Sequence, residues 1–337
     1  MKLSLFAYSK KGIETARKII CVLGEDCAAY TVERLSGGGL MPIPKPSSAF
    51  FGERFSSDDA LIFVSSCGIA VRSIAPHIKG KTTDPAVGVI DETGRFVISL
   101  LSGHIGGANA LAKRIAEAVG ATPVVTTATD ANGRFSVDSW AKEHGFAISD
   151  MALAKAVSAA ILEGDVPVKS DFLIKGGLPA GLTLGGGEKG VYLTYRTNEP
   201  FKTTLRLIPK CVVLGLGCRR GISKEAIENA VKTVLFDNGI DPRALVSAAS
   251  IDLKKDEAGL LDFCREAGLP VKFYSADELN AVQGDFTSSN FVKSVTGVDC
   301  VSERAALIRA EQLIIKKTAL LGVTVAAALV NTEVNFG

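Results

Sequence analysis

Short runs of β-branched and apolar residues alternate with amphipathic helical stretches along nearly the whole chain, and this alternation limits the possible folds more than any single motif. Residues 3–7 form the first run, and residues 12–23 follow with Ile13, Ala16, Ile19, Ile20 and Leu23 at helical spacing. Runs at 28–32 and 60–65 continue the pattern, and a short helix at 68–74 is limited by Pro76. Runs at 87–91 and 96–101 flank the hairpin turn Glu92-Thr93-Gly94-Arg95. A helix from about 105 to 119 and a strand at 122–127 come next. Strands separated by helices predict mostly parallel sheets with helices on both faces. Residues 36–46, rich in glycine and proline, mark a loop.

The character changes after Asp130-Ala131-Asn132-Gly133-Arg134, and a second α/β block starts at 211–216. Its helices fall at 223–238, 257–267 and 302–312, and its strands at 246–251, 271–274, 313–316 and 323–329. At 337 residues the chain exceeds one ordinary core. The expected fold is therefore a multi-domain α/β protein: an N-terminal α/β domain at 1–134, a small α+β middle domain at 135–208 and a C-terminal α/β domain at 209–337.

Charge narrows the function. The 38 basic and 36 acidic side chains nearly cancel, which argues against a dedicated nucleic-acid binder. Seven cysteines without a C-x-x-C pair predict reduced thiols rather than a disulfide framework or zinc ribbon. The apolar stretches at 1–8 and 318–330 are too short for a secretory core or a bilayer span, so a cytoplasmic protein is expected. Histidines occur only at 77, 104 and 144, with no H-E-x-x-H motif, so no protein-bound metal is expected. P-loop and G-x-S-x-G signatures are missing as well.

Three strand-to-helix junctions carry candidate chemistry. In the first, Ser102-Gly103-His104-Ile105-Gly106-Gly107-Ala108-Asn109 follows a strand and opens a helix, where free N–H groups suit a phosphate or carboxylate. A glycine-rich packing turn with a surface histidine fits the same residues equally well. The second, Gly215-Leu216-Gly217-Cys218-Arg219-Arg220-Gly221, approaches a dinucleotide fingerprint but displaces its third glycine, and Asp252 suits the ribose acid only loosely. Arg219 and Arg220 are suited to bidentate carboxylate binding, unless they form an exposed basic turn. Cys218 is either a helix-terminal nucleophile or a small buried residue. In the third, Ser65–Arg72, residues Ser66, Cys67 and Gly68 are expected to line the same cleft as Ser102–Asn109. Thr126-Thr127-Ala128-Thr129-Asp130 ends a further strand and offers hydroxyls and a carboxylate, or simply a capped turn.

The runs at 63–72, 84–91 and 101–109 closely resemble the CbiG family, and 214–221, 296–298 and 301–306 resemble its C-terminal domain. The resemblance covers nearly the whole chain. It implies a cobalt-precorrin-5A hydrolase of anaerobic cobalamin biosynthesis, which opens the δ-lactone of a ring-contracted cobalt corrinoid and releases acetaldehyde by carbon–carbon cleavage. Cobalt then arrives with the substrate, and no cofactor is expected.

In this reading His104 is the general base, assisted by Ser102 and Asp130, and the N–H groups of Gly106 and Gly107 stabilise the oxyanion. Substrate contacts are expected from Ser66, Cys67, Gly68, Gly103, Gly106, Gly107, Asn109, Gly217, Cys218, Arg219 and Arg220, with peripheral carboxylates on the two arginines. The expected partner is the small-molecule cobalt corrinoid, with no nucleic acid and no membrane; a homodimer and transient contact with neighbouring pathway enzymes are further expectations. Two alternatives stay open: a nucleotide-dependent oxidoreductase on Rossmann-like domains, and a non-catalytic corrinoid-binding protein.

Overall fold

The computed structural model describes residues 1–24, 26–80, 83–104 and 106–336. Two compact units divide the chain, Met1–Lys142 and Glu143–Gly337.

The first unit runs β1 (Leu3–Ala7), α1 (Lys10–Leu23), β2 (Cys27–Thr31), β3 (Met41–Pro42), α2 (Ser47–Ser57), β4 (Ala60–Val64), α3 (Cys67–Ile74), β5 (Ala86–Ile90), β6 (Phe96–Leu101), α4 (Ala108–Val119), β7 (Thr122–Val124), α5 (Ala128–Ala131) and α6 (Val137–Glu143). Its seven strands order as β3-β2-β1-β4-β5-β6-β7. Alternation along each strand divides the core between the two sheet faces. Leu3, Leu5, Ala7, Ile62 and Val64 meet α1 and α4 through Ile13, Ala16, Ile19, Leu111 and Ile115. Phe6, Leu61, Phe63, Val87 and Val89 meet Phe50, Phe51 and Phe55 of α2 and Ala70 and Ile74 of α3.

One departure from parallel order decides where the site lies. β5 and β6 form the expected hairpin, pairing Val87 with Leu101 and Ile90 with Val97, so β6 runs against β5. β7 runs parallel to β6. The carboxyl ends of β6 and β7 therefore lie at the edge where β5 begins, opposite the carboxyl ends of β4 and β5.

The second unit continues with β8 (Ala147–Ile148), α7 (Met151–Glu163), β9 (Val166–Ser170), β10 (Leu173–Lys175), β11 (Leu182–Leu184), β12 (Lys189–Leu193), β13 (Thr203–Ile208), β14 (Val212–Cys218), α8 (Lys224–Asp237), β15 (Leu245–Ile251), α9 (Ala258–Glu266), β16 (Val271–Tyr274), α10 (Ala276–Ala281), α11 (Asn290–Thr296), α12 (Val301–Leu307), β17 (Gln312–Leu320), β18 (Val323–Leu329) and β19 (Glu333–Asn335). Two five-stranded sheets result, ordered β11-β9-β12-β13-β8 and β16-β15-β14-β18-β17. In the latter, α8 and α9 cover one face through Ile227, Val231, Val234, Leu260 and Phe263. α12 covers the other through Val301 and Ala305, with α10 beside it through Leu279. The last helix ends at Leu307 rather than near 312, because Gln312–Leu320 pairs with β18 as a hairpin. Leu321 and Gly322, both at positive φ, form its two-residue turn.

The expected middle domain carries its own sheet, but β19 returns to pair with β10, placing residues 143–337 in one unit. Residues 135–142, expected in the middle domain, belong to the first unit.

Candidate active site

The site grows from the strand-to-helix turn after β6. Ser102 leaves the strand at φ 58°, a left-handed conformation that L-residues seldom adopt. Gly106 packs so tightly that a Cβ there would overlap Ser102, and Gly107, at φ 92°, caps α4. The turn closes on itself: Gly107 N–H donates to the His104 carbonyl at 2.9 Å, Ala108 N–H to Ser102 at 3.1 Å and Asn109 N–H to Gly103 at 3.0 Å. The Gly107 half of the expected backbone cradle is thereby corrected. The Gly107 N–H and the first N–H groups of α4 are spent within the turn and are not directed at an anion or oxyanion.

Asn109 is buried and also serves the interior. Ser99 Oγ donates to its Oδ1 at 2.7 Å, and its Nδ2 donates to Thr127 Oγ1 and Asp130 Oδ2, both at 3.0 Å. Its side chain is thus a strut for Asp130, where sequence had suggested a substrate contact. Gly103 belongs to the same packing, since a Cβ there would lie 2.6 Å from Asn109 Oδ1. Thr127 Oγ1 donates to Asp130 Oδ2 at 2.8 Å, and Lys113 Nζ donates to Oδ1 at 2.8 Å. Burial opposes ionisation of Asp130, but the hydrogen bonds from Lys113 and Thr127 and the charges of Lys113 and His104 hold its pKa below the ordinary value.

His104 stands between two carboxylates. Its Nδ1 lies 3.3 Å from Asp138 Oδ1, and its Nε2 lies 3.6 Å from Asp130 Oδ2 and 3.3 Å from Thr129 Oγ1. The Asp138 hydrogen bond is the strongest influence; it outweighs burial and, with the negative charge of both carboxylates, raises the imidazole pKa. Asp138 responds in kind: burial would raise its pKa, but the His104 bond and charge bring it down. Both carboxylates therefore favour the imidazolium form of His104. The ring keeps 24% of its side-chain surface, enough to meet a ligand.

Sequence reasoning missed Asp138 and Lys113, whereas the hydroxyl-bearing run at 126–130 had offered Thr129. Lys113 sits four residues after Asn109 on α4, one turn along the same face, and this spacing was the available signal. Ser102 Oγ is buried with no hydrogen-bond partner among the described residues, so the hydroxyl is closed to solvent and the residue acts through its backbone turn. Ile105 lies outside the described residues.

Ser66, Cys67 and Gly68 do not join this group. They follow β4, where Ser65 N–H donates to the Ile90 carbonyl, at the edge opposite Leu101. A five-residue strand, about 16 Å, separates the two edges. The antiparallel turn of β6 is the physical reason the single-cleft expectation fails.

The descriptions "Cobalamin synthesis G N-terminal" and "Cobalamin synthesis G C-terminus" match residues 49–130 and 212–328. The chain is 33% identical to a cobalt-precorrin-5A hydrolase of Salmonella typhimurium, covering 94% of each. The chain belongs to the CbiG family. A second member, the cobalt-precorrin-5A hydrolase of Priestia megaterium, is 31% identical over 97% of this chain and 94% of its own length. A crystal structure of a cobalamin biosynthesis protein G homolog from Sulfolobus solfataricus shares 20% identity over 97% of each chain, at a TM-score of 0.42.

Within this CbiG chain the N-terminal match contains Ser102, His104 and Asp130 and stops short of Asp138. The C-terminal match contains the glycine loop, which the structure corrects in two ways. Gly217 and Cys218 lie inside β14 rather than in a phosphate loop. The N–H groups beyond them are committed, Arg219 to the Gly322 carbonyl at 3.0 Å and Gly221 to Glu257 Oε1 at 2.7 Å. The glycines serve packing: a Cβ at Gly215 would strike the α12 backbone at Ser302, and one at Gly217 would lie 2.5 Å from Thr324 Oγ1. Burial raises the Cys218 pKa and so favours its thiol form. Arg219 and Arg220 are exposed at the mouth of a cavity of about 690 Å³. No helix among the described residues is long and apolar enough to cross a membrane.

Proposed function

We propose that this CbiG chain is a cobalt-precorrin-5A hydrolase whose proton-transfer group is His104. Its kinship over 94% of the length of a curated cobalt-precorrin-5A hydrolase supports the activity. The single observation that supports the centre is the imidazole held between Asp130 and Asp138. Nothing in the comparisons favours a nucleotide-dependent oxidoreductase or a passive carrier.

The chemistry asks for an acid and then a base, and one imidazole can serve as both. Water adds to the lactone carbonyl, the ring C–O bond breaks, and the imidazolium gives its proton to the departing oxygen. The surplus proton of the water leaves to solvent from the new carboxyl group. The neutral imidazole then takes the proton of the freed hydroxyl. The C–C bond to the macrocycle breaks, acetaldehyde departs, and the bonding pair passes into the conjugated ring. Asp138 fixes the ring through Nδ1, and Asp130, itself held by Asn109, Thr127 and Lys113, stabilises the imidazolium. Ser102 is a positioning residue that shapes the turn, and cobalt enters as part of the substrate.

Incubation with cobalt-precorrin-5A, followed by mass analysis and acetaldehyde detection, tests the activity. His104→Ala is expected to lose about 100-fold or more in turnover. Near-normal turnover of that variant at several pH values would remove His104 from the mechanism.

A further inference from the structure

An ionised carboxylate only accepts hydrogen bonds, and this fixes which nitrogen of His104 keeps its hydrogen. Asp138 Oδ1 stands 3.3 Å from Nδ1, so Nδ1 carries a hydrogen whether the ring is charged or neutral. Nε2 is then the nitrogen that gains and loses a proton, and its surroundings decide how easily the ring changes form. Two oxygens approach it, Thr129 Oγ1 at 3.3 Å and Asp130 Oδ2 at 3.6 Å.

These two oxygens are not equivalent. Asp130 Oδ2 already accepts from Asn109 Nδ2 and Thr127 Oγ1, while Oδ1 accepts from Lys113. At 3.6 Å it meets Nε2 as a charge rather than as a hydrogen-bond partner. That charge attracts an Nε2–H and repels an Nε2 lone pair. Thr129 is 4% exposed, and its hydroxyl faces the ring. A hydroxyl both accepts and donates, so Thr129 Oγ1 accepts from the imidazolium and, after rotating its O–H, donates to the lone pair of the neutral ring. Among the described residues it is the donor placed to meet that lone pair. The charges around the ring come from Asp138 on α6, Asp130 on α5 and Lys113 on α4, which is bound to Asp130. Lys142 of α6 places its ammonium 4.0 Å from where a Cβ on Gly107 would stand, on the same turn.

Two carboxylates hold a proton on an imidazole well and release it poorly. An acid works only if the form it leaves behind is also stabilised. We infer that Thr129 is the positioning residue that lets His104 part with its proton, by turning its hydroxyl from acceptor to donor as the ring changes form. When the proton passes from Nε2 to the departing lactone oxygen, the N–H bond breaks, its electron pair stays on Nε2, and the Thr129 O–H turns onto that pair. The reverse turn follows when the ring takes up a proton again. The part played in turnover rests on the hydrolase reading; the two-way hydrogen bond rests on the geometry of Thr129, His104 and Asp130 alone.

Thr129→Val removes the hydroxyl and keeps the shape, and Thr129→Ser keeps the hydroxyl. Thr129→Ala beside Thr129→Ser isolates the same oxygen should valine disturb the fold. In the variants without the hydroxyl the imidazolium keeps the charge of Asp130, whereas the neutral ring loses its donor, so the ring is expected to titrate at higher pH than in wild type. Proton NMR of the full chain without substrate reads this directly, with the His104 signal identified by its loss in His104→Ala. Turnover of cobalt-precorrin-5A across pH is the second measurement. Thr129→Val is expected to lose about tenfold in kcat, roughly one hydrogen bond, with KM unchanged. Its alkaline limb is expected to move to higher pH, opposite to the shift that loss of the Asp138 charge gives, and Thr129→Ser to restore both. A ring that titrates alike with and without the hydroxyl would overturn the inference, as would a loss of turnover that serine does not restore. The expected titration in a wild type that releases no acetaldehyde would instead fault the hydrolase reading and leave the two-way bond standing.

Discussion

With a carboxylate at each ring nitrogen, His104 has a protonation state set by its neighbours, and Asp138 is the stronger of the two. Asp138→Asn keeps the shape and removes the charge, so the imidazole pKa is expected to fall back toward its ordinary value near 6.5. In the proposed acid-then-base sequence this lowers the share of imidazolium at a given pH. Turnover is expected to drop about 100-fold, and the alkaline limb of the pH profile to move to lower pH. A profile that falls in height without shifting would show Asp138 to be merely structural. The linkage sign follows from the raised pKa. Pairing of protonated His104 stabilises the first unit fully below about pH 6.5, and that contribution is lost as pH rises through the higher folded value. Thermal unfolding of wild type and His104→Ala across pH 5 to 9 should therefore converge toward the alkaline end.

Elements obey a different constraint, the closeness of backbone to backbone. α12 lies against β14 at Gly215, where a Cβ would overlap the Ser302 carbonyl oxygen and lie 2.8 Å from Ala306 N. Gly215→Ala must push the helix away and is expected to cost about 3 kcal/mol; an unchanged denaturant midpoint would refute the close packing. The same glycine explains a limit of sequence reading. A G-x-G after a strand looks the same whether it admits a pyrophosphate or a neighbouring helix, and here it admits α12 and Thr324. Strands were legible because both faces are covered, so Leu61, Ile62 and Phe63 form an unbroken apolar run with no alternation to misread. The hairpin at 92–95 was legible too, but its consequence for the site was not: reversing β6 puts His104 and Cys67 at opposite edges. α2 gave little periodic signal, since Phe50, Phe51 and Phe55 are surrounded by serines, and it was missed. At the site, the Ser-Gly-His turn and Asp130 stood out by residue type. Asp138 did not, because only folding brings Nδ1 to it across a gap of 34 positions.

At the scale of the molecule, two units with separate cores share one chain, and in the second a buried ionic cluster helps to join its two five-stranded sheets. Asp241 is 3% exposed and accepts from Arg206 of β13 at 2.7 Å and from Arg243 at 2.8 and 2.9 Å. Arg243 also donates to the Ile148 and Ser149 carbonyls, so the segment that leads into β15 is tied through this cluster to β8 and β13 of the other five-stranded sheet. Burial opposes its ionisation, but the bonds from Arg243 and Arg206 prevail and draw its pKa down to about 2. Removing the shared carboxylate leaves the largely buried Arg206 guanidinium uncompensated, so Asp241→Ala is expected to destabilise the second unit by about 3 kcal/mol. The depressed pKa fixes the pH dependence: the contribution is whole above the unfolded carboxylate value of about 4 and is lost as pH falls toward 2. Wild type and Asp241→Ala should thus differ in the unfolding midpoint of the second unit at pH 7 and approach each other near pH 2, while the first unit, which contains none of these residues, melts unchanged. A difference that persists undiminished at pH 2 would mean that packing, not the ion cluster, joins the two sheets.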